Sequence, residues 1–543
     1  MQQRLHRDAL SLIAIAGFFC VPISHAAIFN PTCSNGSLFS MLGTANGNAQ
    51  DNTVNLPAGC LYTITAPTAY GSDTLGNALP IYSSPHTLII NGNNAIIERS
   101  NAAGTPNFRI MQIDGSSLSG SQHITVQLND LTLRNGKIVA VTDSSGNNAG
   151  LGGGIFSYGY ANGVGIDTTL TLNNVTLSNS TATGSGGGIL ALGTLNISNS
   201  QISNNSAVFY GGGVAMEIGY LSVQSSSING NQQAPGNIDP GFISGGGGIG
   251  CYICVSVSIL DSIIENNTAA GTGGGGIAAL ATSVDIRRSR IANNTCSVPT
   301  LRAANLASGN AGGIGIGSET GFSASPSSIS DSAIYNNTAA DSAGGVGVNG
   351  PVILSINNST ISTNHAGVRG GGLGDAATGV SLANVTIAAN SAPRSAGIDI
   401  GSFVDPNGTT VGKISLSNTI VGSNTGSSDC YNDGGTITAN ATSLLQTDAS
   451  AANACDGANG THFALRADPK LSALAQHGGP DLSHTALLGS PVIGVGSVAQ
   501  IVSGTITDQR GKGYLRTLSG LVDLGAIESG NTDIIFRNGT EFH

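Results

Sequence analysis

The stretch Leu170–Ala182, LTLNNVTLSNSTA, followed by Gly186-Gly187-Gly188-Ile189, decides how this chain folds. Its phrase, roughly Leu-x-Ile-x-Asn-Ser-x-Ile-x-x-Asn-x-Ala and then a glycine cluster with an aliphatic residue, begins again at Leu195, Leu221, Val257, Val284, Leu354, Leu382 and Ile414. Self-similarity at a period of roughly 20–50 residues marks a solenoid. Within each copy the apolar residues alternate. Leu170 and Leu172, Leu195 and Ile197, or Leu354 and Ile356 share one side of a strand, and the residue between them faces the other way. A second strand carries Leu177, Ile202, Ile228, Ile264, Ile291, Ile334, Ile361 or Ile387, and a third opens at the glycine cluster with, for example, Ile155, Ile189, Val214 or Ile249. Three short strands per turn, each with one apolar face, predict a coil wound around a central core.

The asparagines fix the length of that coil. Asn205, Asn231, Asn267, Asn294, Asn337, Asn364 and Asn390 follow one another at 26, 36, 27, 43, 27 and 26 residues, a base coil of 26–27 with two insertions. Asparagine tolerates a left-handed turn, and its amide can bond the same residue one coil away. A second register, Asn174, Asn199, Asn358, Asn384 and Asn418, marks the preceding corner, where similar ladders are expected. Many of these residues also match Asn-x-Ser/Thr, but a ladder explains their spacing and glycosylation does not. The two insertions, Gln232–Ser244 and Cys296–Asn310, should project from one side as loops.

Composition agrees. The 543 residues include 80 glycines and no tryptophan, and only 9% are charged. Hydrophobic content of 40%, regularly spaced, argues against disorder. A net charge of −11 with 19 Lys and Arg argues against nucleic acid and anionic membranes as partners. Arg4 and Arg7, the apolar run Ala9–Ile23 and Ser24-His25-Ala26 read as a secretory signal cleaved after Ala26. No later apolar run reaches the ~18 residues of a membrane helix. The mature chain is expected to be exported, extracellular or at the cell surface, monomeric, and without a transmembrane segment.

Seven cysteines remain after cleavage. Cys33 with Cys60 and Cys430 with Cys455 are the expected disulfides, since they lie in loop-rich flanks of an exported chain. Cys251 and Cys254 fall in a predicted strand, where three extended residues span about 10 Å, too far for a disulfide unless the chain turns. Cys296 stands where other copies have Ala and reads as a small buried residue.

The Ile-x-x-Asn-x-Ala and Gly-Gly-Gly-Ile phrases resemble the FxxN and GGAI repeats of chlamydial polymorphic outer-membrane proteins. Like pectate-lyase-like proteins generally, those repeats imply a right-handed parallel β-helix. The segments Asp468-Pro-Lys-Leu471, Gly478-Gly-Pro480, Thr485–Pro491, Asp508-Gln-Arg-Gly511 and Asp523–Glu528 resemble the choice-of-anchor Q domain of secreted bacterial proteins. The chain departs from that pattern at Asp481, where Thr is usual, and at Val492-Ile493-Gly494, where Ala-Ile-Asp is usual. The expected fold is therefore all-β, a right-handed parallel β-helix of about a dozen coils, capped at both ends, with ~4.8 Å per coil. The expected division is a signal peptide (1–26), an N-terminal cap with the first coils (27–130), the repeat core (131–440), C-terminal coils and cap (441–530) and a tail (531–543). In this reading Asp508, Arg510, Asp523 and Glu528 belong to an end cap. The resemblance also implies an autotransporter barrel, for which the residues after Glu528 are too few.

Enzymes of this fold that cleave acidic polysaccharides need carboxylates for calcium or a base, and Arg or Lys against a uronate. The outward positions Thr171, Asn196, Ser222, Ser258, Ser355, Ser381 and Ser415 supply only hydroxyls and amides. Asp285, Arg287, Arg288 and Arg290 break that row on one coil. They are the candidate site of a lyase or hydrolase, the only reading under which a cofactor, calcium, enters. A surface ion pair explains them as well. Phe156, Tyr158 and Tyr252, outward after the glycine corner, are candidate binding residues for a glycan or an envelope protein. The leading expectation is a secreted or surface-associated structural, adhesive or binding protein, with polysaccharide cleavage as the alternative.

Overall fold

The computed structural model describes residues 26–71, 75–119, 121–139, 150–159, 167–235, 245–271, 273–297, 311–317, 326–405, 408–440, 442–457 and 462–532. The segment read as a secretory signal, through His25, residues 236–244 and 298–310 of the two insertions, and the tail from 533 onward lie outside them.

The chain winds into a right-handed parallel β-helix of about a dozen coils, with 29 strands among the described residues joined in one continuous hydrogen-bonded array. Aliphatic residues stack in columns because each coil repeats the phrase in register. Ile155, Ile189, Val214, Ile249, Ile277, Ile314, Val346, Leu373 and Ile398 pair successively on the first sheet, and each is fully buried. The second sheet continues each chain past a bend, as in Ile189–Ser198, where Gly193 takes φ 127°. The third sheet consists of three-residue strands such as Gln201–Ser203 and Ser227–Asn229. A fourth, narrow sheet of eight two-residue strands, including Thr181–Ala182 and Ser206–Ala207, follows the asparagine corner.

The asparagine register forms a continuous ladder. Asn205 Nδ2 donates to Asn231 Oδ1 (3.0 Å), and the relay continues through Asn267, Asn294, Asn337, Asn364 and Asn390 to Asn424 at 2.9–3.1 Å. Each amide also donates to a backbone carbonyl, as Asn294 does to Ile264 (2.9 Å). Asp429 ends the relay by accepting from Asn424 Nδ2 at 2.8 Å.

The second asparagine register makes no such ladder. Asn174, Asn199, Asn358, Asn384 and Asn418 hold left-handed backbone, with φ between 47° and 56°. The ladder at this corner is built by the next residue. Ser200 Oγ accepts from the Val175 amide, and Ser226, Ser262, Ser289, Ser332 and Ser359 each take the amide of the preceding serine at 3.0–3.2 Å.

At the N-terminal end the helix Asn35–Gly47, capped by Ser34, buries Leu38, Leu42 and Ala45 over the first coils, and Cys33–Cys60 ties it down. At the other end Cys455, bonded to Cys430, and Phe463 join the core. Residues 469–529, expected over the last coil, run back along the side of the solenoid. Leu474 and Leu482 pack on Ala292, Ala333 and Tyr335, while Val492 and Leu524 pack on Ile420 and Leu444. Among the described residues no helix is long and apolar enough to cross a membrane.

Cys251 and Cys254 are bonded, contrary to the extended-strand expectation, with Cα atoms 5.9 Å apart. The turn that allows this is Ile253 at φ 55°, a conformation rarely adopted by a β-branched residue. Cys296 is buried, and its thiol donates to the Gly271 carbonyl at 3.3 Å.

Candidate ligand-binding site

The charged stretch on the second sheet separates into three ion pairs. Arg287 Nε donates to Asp285 at 2.8 Å, and Asp285 also accepts from Ser328 Oγ. Burial alone would raise the Asp285 pKa, but the bonds from Arg287 and Ser328 prevail and hold it below the usual range. Arg288 reaches back one coil to Asp261 (2.7 Å), and Arg290 turns to Asp481 of the C-terminal segment (3.1 Å). The four residues thus do not form one cluster: Asp285 and Arg287 pair with each other, while Arg288 and Arg290 are each taken up by an acid outside the set. The row on either side is Ser258 and Ser328, continuing the hydroxyl face.

The aromatic candidates sit on the outer side of the first sheet and fare differently. Phe156 is 6% exposed, enclosed by Leu190, Leu192, Ala215 and the partly buried Leu151, Tyr158 and Tyr210. The fully buried Arg109 lies over its ring, 5.1 Å from the centroid, and donates to Gln112 at 2.8 Å. Phe156 is therefore part of a satellite core. Tyr158, 5.8 Å from it ring to ring, and Tyr252 remain half-buried.

Beside them the structure gathers two residues that period-of-two reading passes over. Where Ala191 pairs with Met216 but Leu192 pairs with Ile218, Glu217 is the extra residue of a β-bulge. On the next coil the ladder breaks again between Cys251 and Cys254, so Tyr252 and Ile253 bulge outward. Bulges re-aim side chains and recur beside functional sites. The Cys251–Cys254 bond closes the base of this bulge, and both cysteines point into the core. Tyr210, just before the glycine corner, completes the group. Its ring lies over Gly250, where a Cβ would come within 3.1 Å of Cδ2. Burial, then the neighbouring Glu217 carboxyl, pushes the Tyr210 phenol well above its ordinary value. Burial likewise raises Glu217. A carboxyl held toward its neutral form, near the Tyr210 phenol and level with Tyr252 on the next coil, offers hydrogen-bond donors and acceptors beside aromatic faces, the chemistry that suits a hydroxyl-rich ring.

Among the described residues no cluster of His, Cys, Asp or Glu is arranged to hold a metal ion. The sequence signal for this site was weak. Glu217 is an isolated acid in an otherwise uncharged strand, Val214–Gln224, and only its position on a bulge, which the sequence does not announce, brings it to Tyr210 and Tyr252.

No family model matches the chain, and no curated protein matches it. Among solved structures it is similar to the pectate lyase Pel9A, at 13% identity and TM-score 0.33 over 93% of this chain and 97% of that one. It is also similar to the A-module of the Azotobacter vinelandii mannuronan C-5 epimerase AlgE6, at 17% identity and TM-score 0.40 over 81% of this chain and 99% of that one.

Proposed function

We propose that this chain is an exported, surface-associated binding scaffold that holds a saccharide against the patch formed by Tyr210, Glu217 and Tyr252. The observation that carries the reading is the meeting of a half-buried carboxyl, Glu217, with Tyr252 where bulges fall on successive coils, and with Tyr210 beside them. The solenoid supplies a rigid support, and its three disulfides suit an oxidising compartment. The repeat resemblance to polymorphic outer-membrane proteins and the anchor-Q-like C-terminal segment support display at a cell surface. The division into cap, repeat core and C-terminal region belongs to the same proposal. Arg109, over the Phe156 ring, is fully buried and does not face a ligand, which favours a neutral saccharide over a uronate.

A glycan array followed by titration calorimetry on the intact chain tests this. Tyr252→Ala should weaken binding roughly tenfold, about 1.4 kcal/mol. Wild-type binding should fall as pH rises and Glu217 ionises, whereas Glu217→Gln should bind independently of pH. A blank array together with a blank cell-binding assay would remove the reading. Cleavage of a polysaccharide is the second reading, favoured by one observation: Glu217 is shifted toward the protonated state that a general acid needs. It predicts new reducing ends or unsaturated products from pectin, alginate or glycosaminoglycans, lost in Glu217→Gln.

A further inference from the structure

The left-handed corner between the second and third sheets is covered along only part of its length. Toward the C-terminal end the chain's own segment 497–516 lies on it, recognised through the corner asparagines. Asn358 Nδ2 donates to the Thr507 carbonyl (3.1 Å), and Arg516 Nη1 donates to Asn358 Oδ1 (3.1 Å). Two coils on, Asn418 donates to the Ser497 carbonyl (2.9 Å) and accepts its amide (2.8 Å). These are bonds to polypeptide backbone and to one guanidinium.

The same corner is open toward the N-terminal end, where it forms a trough of about 480 Å³ whose walls include Asn174, Asn199, Gln201, Ser225 and Asp261. The two stretches correspond coil by coil. Asn358, Asn384 and Asn418 occupy one set of three successive left-handed positions, and Asn174, Asn199 and Ser225 occupy the other. The acid before each set matches too. Asp331 Oδ1 accepts from Asn358 Nδ2 at 2.6 Å, and Asp130 Oδ1 accepts from Asn174 Nδ2 at 2.6 Å. In the covered stretch this leaves Asn358 Oδ1 for an arginine. In the open one, Asn174 Oδ1 has no donor among the described residues.

We propose that the trough docks an extended, arginine-bearing polypeptide segment of another protein, in the manner in which the chain docks its own residues 497–516. The guanidinium would be received by Asn174 Oδ1 with Asp130 beside it, and the backbone by Asn174 Nδ2 and Ser225, which stand where Asn358 and Asn418 take the backbone of the strap; Asn199 stands where Asn384 makes no bond. The net charge of −11 favours a basic partner at long range. This surface is separate from the Tyr210–Glu217–Tyr252 patch and takes a different class of ligand.

The test uses the intact chain and a fluorescent peptide copying Ser497–Leu518, read by anisotropy. Saturable binding is expected, weakened at least fivefold by Asn174→Gly, which keeps the left-handed backbone and removes the amide. Gln201→Trp, which fills the trough from an exposed position, should abolish it, and a peptide carrying Arg516→Ala should also bind at least fivefold more weakly. Circular dichroism melting confirms that both protein variants fold. No saturable binding would overturn the proposal. Binding that ignores both trough substitutions but disappears in Asn358→Ala would overturn it equally, because the peptide would then be exchanging with the chain's own segment.

Discussion

Asp375 is the residue whose position least resembles that of its neighbours. Its counterparts on the first sheet are Val348 on one coil and Ile400 on the next, both buried in the core, so its carboxyl also points inward. One oxygen accepts the Ala377 amide at 2.8 Å, and the other has no partner although it is buried. Burial pushes its pKa up to about 7, against the weaker lowering effect of that amide. A carboxyl raised in the folded state binds a proton that the unfolded chain has already released, so stability is greatest below pH ~4 and falls as pH climbs toward 7. Asp375→Asn mimics the neutral form. Its stability should equal that of wild type near pH 4 and exceed it at pH 8 by roughly 3–5 kcal/mol, at 1.36 kcal/mol per unit of pKa, read as a higher melting temperature at pH 8 alone. Equal melting temperatures at both pH values would show that the carboxyl is solvated. Asn294 shows the opposite case of a buried polar group fully satisfied. Its Oδ1 accepts both the amide and the side chain of Asn267, and its Nδ2 serves Asn337 and the Ile264 carbonyl. That role was legible from spacing alone, because only an interaction across coils explains an asparagine recurring at coil length. Asp375 was not legible, since nothing local distinguishes an inward acid from an outward one.

At the scale of elements, the glycine corner sets how closely the coils can approach. A Cβ on Gly212 would lie 2.4 Å from the Gln232 carbonyl group and 2.5 Å from the Gly247 oxygen of the next coil. Those are backbone atoms held by the stack and cannot swing aside. Gly212→Ala is therefore expected to destabilise by roughly 3 kcal/mol or more, as overpacking does. Gly379→Ala, with nothing within 4 Å of the added carbon and no left-handed backbone, should leave the melting temperature within a degree or two. Thermal melts of the two variants compare them directly, and equal effects would contradict the close approach of the corners. The three strands per coil could be read in advance because their aliphatic residues are buried on one side and recur in phase. The narrow fourth sheet could not, because strands such as Thr181–Ala182 are too short to alternate. The capping helix was hidden by Gly36, Gly43 and Gly47, which weaken any helical signal. The serine ladder was hidden because a serine between turns reads as generic polarity. At the Tyr210–Glu217–Tyr252 patch Glu217 was hidden by its bulge. A bulge adds a residue, and every inference from a period of two inverts beyond it.

At the scale of the whole molecule, the C-terminal segment acts as a strap along the solenoid. Its interior is held by ions rather than by strands. Arg510 pairs with Asp508 and lies 4.1 Å from the Tyr514 ring centroid, while the buried Arg516 pairs with Glu528 and donates to the Asp523 and Gly525 carbonyls at 3.0 and 2.9 Å. Arg516 also reaches Asn358 on the corner of the helix, so one side chain both folds the strap and docks it. Removing one partner of a buried pair leaves the other charge without compensation, at a cost of roughly 3–5 kcal/mol. Arg516→Leu should therefore loosen the strap locally. A solenoid transmits such damage poorly, because each coil contacts only its neighbours. Hydrogen exchange should rise in the strap and in the third-sheet strands beneath it, Thr360–Ser362, Thr386–Ala388 and Ile420–Gly422. Exchange in Gln201–Ser203 and Ser227–Asn229, beyond the reach of the strap, should stay at the wild-type rate. Uniform acceleration across all coils would mean that the strap stabilises the solenoid as one cooperative unit. No change under the strap would mean that its apolar contacts through Leu474, Leu482, Val492 and Leu524 hold it without the arginine.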